Sequence, residues 1–206
     1  AVLIPMVLAR TGGSELALSS VQSAAAAGLV VGGAVVSLWP GTRRQIHGVL
    51  LSVLFTALFS QVLFGAGRGP AAWIAFAFLG SLFRPWTLGA AGAIWQSKVD
   101  PAAQGRVFAT RRVLAQTSIP LAYFLAGPLA DRVLEPAMRP GGALAGVFGP
   151  LVGTGPGAGM ALMIVLAGTA SLLVALAGYG LRPVREVETL IPDYDELEAS
   201  AALTTT

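Results

Sequence analysis

The run 161–180, ALMIVLAGTASLLVALAGYG, decides how this chain folds. It contains no charged residue, and its apolar side chains follow one another instead of alternating with polar ones. Twenty residues at helical rise span about 30 Å, the thickness of a bilayer's hydrocarbon core. In hydrocarbon every backbone N–H and C=O must be satisfied internally, which a helix does within one segment. A barrel strand would show the two-residue period that is missing here. The run therefore predicts a membrane-spanning helix.

Working outward, the same reasoning predicts five spans, at 16–38, 48–66, 71–96, 108–130 and 158–181. Composition agrees: 55% of residues are hydrophobic and only 11% charged, with a mean hydropathy of +0.74. That is about half the usual charge, too little polar material to clothe a water-soluble globule. The opening AVLIPMVLA (1–9) is apolar but too short to span and has no basic leader, so it reads as the severed end of a sixth helix. The expected architecture is an all-α membrane protein, a helical bundle over 1–185, followed by an acidic tail at 186–206.

Several function classes drop out. The chain has no cysteine, which removes disulfide frameworks, cysteine zinc sites and thiol catalysis. A net charge of +3, without a basic patch interleaved with aromatics, gives no reason to expect nucleic acid as a partner. His47 is the sole histidine and lies beside a basic loop, where a titratable surface role fits better than metal ligation. The glycine-rich stretch 141–159 has no Lys-Ser or Lys-Thr sequel, so it is no phosphate loop. No enzyme activity, metal or cofactor is expected.

Orientation follows from Lys and Arg, which are retained on the cytoplasmic side. With WPGTRRQIH (39–47) inside, that side collects Arg43, Arg44, Lys98, Arg106, Arg111, Arg112, Arg182 and Arg185. The other side holds Arg10, Arg68, Arg132 and Arg139. The stretch KVDPAAQGRVFATRR (98–112) then reads as a cytoplasmic loop, and the tail, rich in Glu and Asp, as a solvated, partly disordered cytoplasmic end.

Polar residues inside spans cost free energy unless they meet a partner or water, so they carry the functional signal. Arg84 stands near the middle of 71–96, too deep to reach the interface easily, with Pro85 beside it to bend the helix. Gly80, Arg84, Thr87 and Ala91 share its face, expected to turn toward a central pathway. Ser19, Gln22 and Ser23 form a polar stripe on the first span, and Gln116, Pro120, Tyr123 and Gly127 line up on the fourth. The hydroxyls of Ser52, Thr56 and Ser60 are expected to bond back to their own helix. Small residues spaced by four, Ala24, Gly28 and Gly32, and again Ala167, Ser171 and Ala175, predict close helix packing.

Taken in order, the loop PGTRR (40–44), the run AIWQSKV (93–99), QGRVFATRR (104–112) and PLAYFLAGPLADR (120–132) resemble the carboxy-terminal half of a major facilitator superfamily transporter, in the bacterial drug and siderophore efflux branch. The likeness extends to about residue 185. It implies that the five spans are helices eight to twelve, with 1–9 the end of the seventh. It also implies a partner, the missing N-terminal six-helix half, with the substrate between the halves. Gly105 and Arg106 match that branch's loop before the eleventh helix, and Arg43 and Arg44 echo the superfamily's signature loop, whose Asp position is apolar here. The eighth, tenth and eleventh helices line the cavity in that family, which places Arg84, Gln22, Ser23, Gln116 and Tyr123 on a substrate pathway. The expected function is ion-driven efflux of amphipathic drug-like or peptide- and siderophore-like small molecules across the cell membrane, with the lipid bilayer as surroundings and the C-terminus cytoplasmic. A non-transporting membrane scaffold subunit and an inactive truncated gene product are the alternatives.

Overall fold

The computed structural model describes residues 2–38, 44–195 and 203, and every element among them is helical. Helix α1 covers Leu3–Arg10 and α2 Glu15–Leu38. Between them Gly12 and Gly13 take positive φ, and the Ser14 hydroxyl accepts from the Ala17 N–H at 3.2 Å to start α2. Helix α3 spans Gln45–Ala66 and winds as a π-helix over Leu58–Leu63. Pro70 then occupies the first turn of α4 (Pro70–Leu82), where its missing N–H costs nothing.

The expected span 71–96 is found as Pro70–Lys98, bent as expected beside Pro85. A turn at Phe83 divides it into α4 and α5 (Arg84–Lys98). Pro85 supplies the reason: it offers no N–H to the Ser81 carbonyl, so the ladder cannot continue through that point.

One departure concerns 98–112. That stretch is a loop only at Val99 and Asp100; from Pro101 onward it is helix, running continuously as α6 (Pro101–Ala137), with a π-helical turn over Leu129–Leu134. The Asp100 carboxylate accepts from the Ala102 N–H at 2.8 Å and Pro101 sits in the first turn, so the start is a proper N-cap. Gly105 and Arg106 therefore lie on a helix, both exposed. Helix α7 (Ala145–Val152) interrupts what reads in sequence as a long outer loop, and α8 covers Ala158–Gly180. Two short helices, α9 (Arg182–Arg185) and α10 (Val187–Leu190), follow.

Five helical segments are long and apolar enough to cross a membrane: Glu15–Leu38, Gln45–Ala66, Pro70–Lys98, Pro101–Ala137 and Ala158–Gly180. Their outward faces are apolar, with Val30, Leu88, Phe124 and Val174 each more than 70% exposed. Such a surface is compatible with lipid contact and poorly matched to water.

Four of the five segments form the bundle. Helix α2 packs along α4, α3 packs on α5, and α8 closes against α3. A Cβ on Gly28 would overlap the Phe78 carbonyl, and one on Gly32 the Leu82 carbonyl, so these glycines set the α2–α4 distance. Ala24, one turn earlier, is half-buried. On α8 the close approach is made by Gly168, where a Cβ would stand 2.6 Å from the Gln61 Cβ. The expected ladder Ala167, Ser171 and Ala175 is thus turned off the seam: Ala167 is exposed and only Ala175 is fully buried.

Most of α6 stands apart. Residues 109–125 are exposed, with the Arg111 guanidinium reaching the Trp95 ring of α5, and the rod is buried against the bundle at Ala126, Ala130 and Leu134, its far end resting on α8. The largest buried side chains, among them Met6, Phe64, Trp73, Met138 and Leu162, belong to a core joining α1, the end of α3, the start of α4, the end of α6 and the start of α8.

Each end of the bundle has its own clasp. At one end Arg10 donates to the Gly67 carbonyl at 3.2 Å and to the Val152 carbonyl, while Arg68 donates to the carbonyls of Gly149 and Pro150. The two guanidinium groups thereby tie the last turn of α7, at the Val152 and Pro150 carbonyls, to α1 and to the loop before α4. At the opposite end Lys98 pairs with Asp193 at 2.7 Å and donates to the carbonyls of Glu188, at 3.0 Å, and Ile191. The Glu188 carboxylate accepts from the Gln45 N–H at 2.9 Å, capping the start of α3. Residues 186–195 are therefore a docked strap and not a loose tail, a correction to the expectation from charge alone. Arg43 and most of 196–206 lie outside the described residues.

Candidate functional site: an arginine at a helix break

Arg84 lies midway along the Pro70–Lys98 segment, fourteen residues from either end. It opens α5 immediately after the Phe83 turn and is exposed on the flank of the bundle. There it lines a cavity of about 210 Å³ between α3, α5 and α8. Thr56 and Gln61 enter from α3, Thr87 and Leu88 from α5, and Ser171 from α8.

Two glycines allow this assembly. Gly80 lets α4 press against Ser60 in the π-helical turn, where any Cβ would collide with the Ser60 side chain. Gly168 brings α8 onto Gln61 and Val62 of the same turn. π-Helical turns are frequent at functional sites, and here the turn carries Gln61 to the cavity wall.

The hydroxyls are mostly engaged already. Thr87 Oγ1 donates to Ser52 Oγ at 2.8 Å, Thr56 Oγ1 to the Gly80 carbonyl at 3.4 Å, and Ser171 Oγ to the Ala167 carbonyl at 3.0 Å. The stripe Ser52, Thr56 and Ser60, expected to serve only its own backbone, is thus the partner surface of the Gly80–Thr87 face. Ser52 does bond back, to the Val49 carbonyl at 3.0 Å, but also receives Thr87. Among the described residues neither the Arg84 guanidinium nor the Gln61 amide makes a hydrogen bond or ion pair.

The Arg84 face was expected to turn toward a central pathway shared with the first and fourth spans. It faces α3 and α8 instead. Gln22 and Ser23 are exposed on α2, and Gln116 and Tyr123 are exposed on the free-standing part of α6; none of the four lines the Arg84 cavity. Of the loop residues, Arg44 precedes α3 and is exposed. Gln61 and Ser171 are the site residues that the sequence reading passed over. A glutamine in mid-span is itself a signal, since amides in hydrocarbon need partners.

At the Arg10 end, Glu135 is half-buried and keeps Oε1 buried with no hydrogen-bond partner among the described residues. Among those residues no cluster of histidine and carboxylate groups could hold a metal.

No family model, curated protein or solved structure matches the chain.

Proposed function

We propose that this chain is the carboxy-terminal half-bundle of a secondary transporter of the major facilitator kind, exporting amphipathic small molecules across a cell membrane with residues 186–206 in the cytoplasm. The observation that carries the reading is Arg84: a permanent charge at mid-span, at the turn between α4 and α5, exposed along the edge of a largely apolar cavity and without an ion pair among the described residues. A charge so placed costs at least about 2.5–3.5 kcal/mol on insertion scales, and intramembrane ionisable residues characteristically mark substrate or ion pathways. Broken helices at the midplane are where transporters expose helix termini to their substrates.

Sidedness has separate support. The ends holding Arg44, Lys98 and Arg182 cluster together, opposite the end holding Arg10 and Arg68, which is the grouping that the Lys and Arg count needs. The exposed flank of α6 supports a further six-helix half as partner, because a rod so exposed has room for helices to pack.

The test is flux of a fluorescent amphipathic dye from proteoliposomes holding the full transporter, this chain together with its six-helix partner half. A pH or sodium gradient drives it, and Arg84→Ala is compared with the unaltered protein. The reading expects gradient-dependent flux that falls at least tenfold in the variant. Unchanged flux in a monodisperse variant removes Arg84 from the pathway, and absence of gradient-driven flux for any amphiphile favours a scaffold subunit.

A further inference from the structure

We infer that the cavity between α3, α5 and α8 binds the carboxylate head of an amphipathic anion, held by Arg84 and Gln61. The donors around the cavity decide the class of ligand. Thr56, Thr87 and Ser171 already give their hydroxyl protons to protein acceptors, so the uncommitted donors are the guanidinium fork and the Gln61 amide. A head that only accepts, with two oxygens spaced to meet a guanidinium fork, is an oxyanion, and the planar, singly charged carboxylate is the smallest one that matches a single planar fork. A cation would meet the Arg84 charge at close range with no acid in the lining to offset it.

The sequence around the site strengthens the preference. Among the described residues no acid pairs with the arginine. The exposed length of α6, residues 109–125, contains no Asp or Glu. A bound carboxylate would neutralise the Arg84 charge, which meets no acid in the cavity lining.

Size and lining set the rest of the molecule. At about 210 Å³ the cavity is smaller than the roughly 300–1,000 Å³ of sites that engulf a drug-sized ligand. It takes a head group and the first few carbons. Beyond it Val53 and Leu88 form an apolar lip, Leu88 being 71% exposed, along which an alkyl tail can leave toward the lipid side. The inference rests on the transport reading for the ligand's purpose and on local geometry for its binding.

The experiment is equilibrium binding of radiolabelled decanoate to the full chain in phosphatidylcholine nanodiscs at about pH 8, with unlabelled decanoate, decanol and decyltrimethylammonium as competitors. Decanoate is expected to bind saturably at one site and to be displaced by itself but not by the cation or the alcohol. Arg84→Gln should weaken binding about 10- to 100-fold, the worth of a charge-assisted hydrogen bond, with Arg84→Lys intermediate because it keeps the charge and loses the fork. Gln61→Leu, which leaves the arginine in place, should weaken binding by about 3- to 10-fold and serves if Arg84→Gln proves unstable. Equal displacement by decyltrimethylammonium, or decanoate binding unaltered in Arg84→Gln or Gln61→Leu, overturns the proposal. Saturable binding with no gradient-driven flux would keep this site and remove the transport reading; flux without decanoate binding would do the reverse.

Discussion

Gly32 and Gly33 are neighbours on α2 with opposite surroundings, and replacing each by alanine isolates the energetics of the α2–α4 seam. At Gly32 a new Cβ would overlap the Leu82 carbonyl oxygen and lie 2.9 Å from its carbon and 3.1 Å from its Cα. Ordinary carbon contacts lie at about 3.5–4.0 Å, so α2 and α4 must part by roughly 0.5–1 Å. Overpacking of this kind costs about 1–3 kcal/mol. At Gly33 nothing lies within 4 Å of the added atom. Both substitutions share the gain of about 0.8–1.0 kcal/mol from replacing glycine by alanine in a helix, so the difference between them measures the overlap alone. We expect Gly33→Ala to be stabilising by up to about 1 kcal/mol and Gly32→Ala to lie about 1–3 kcal/mol below it. Equilibrium unfolding by sodium dodecyl sulfate in mixed micelles, followed by circular dichroism, reads the difference. If Gly32→Ala equals or exceeds Gly33→Ala in stability, α2 does not meet α4 through the Gly28–Gly32 face.

Three further outcomes follow from the clasps and the free rod. Lys98 hydrogen-bonds the Asp193 carboxylate and holds its pKa below the ordinary value, an effect that burial opposes and the Ser97 hydrogen bond reinforces. A depressed carboxylate pKa contributes stability above its unfolded value and loses it as pH falls through the folded one. Docking of 186–195 should therefore be complete at neutral pH and fail in acid below the usual carboxylate range; Asp193→Asn should expose the strap to protease already at neutral pH. Arg68→Ala removes the donor that serves Gly149 and Pro150, and hydrogen exchange within Ala145–Val152 should rise while α8 stays protected. Because the chain has no native cysteine, single replacements report cleanly: Leu114→Cys and Phe124→Cys on the exposed rod should react with a membrane-soluble maleimide, and Val165→Cys in the core should not.

The five long apolar segments were legible because a run able to cross hydrocarbon needs only length and hydropathy, both of which the sequence carries openly. The start of α6 was not read, since its polarity suggested a loop; yet Asp100 followed by Pro101 is a helix N-cap with proline in the first turn, and that local signal outweighs composition. Rotation was harder. In α8 the apolar residues surround the helix, so no amphipathic stripe says which side faces inward, and the small residues chosen lay one position away from Gly168. For the site, Arg84 and Pro85 announced a break, but the direction of the arginine depended on the π-helical turn in α3, which rotates Gln61 into place and has no sequence signature. The Ser52–Thr56–Ser60 stripe was visible and assigned to its own backbone, because a hydroxyl's partner across a seam cannot be told from one within the helix by spacing alone.

The two clasps are built from different chemistry, and that gives the molecule a polarity along its long axis. The bonds from Arg10 and Arg68 end on peptide oxygens, a pairing with no group that changes charge at ordinary acidity. The pairing of Lys98 with Asp193 ends on a carboxylate. Acid strong enough to protonate Asp193 would loosen the bundle at the strap and leave the carbonyl bonds of Arg10 and Arg68 in place, so the two ends of the fold give way under different conditions.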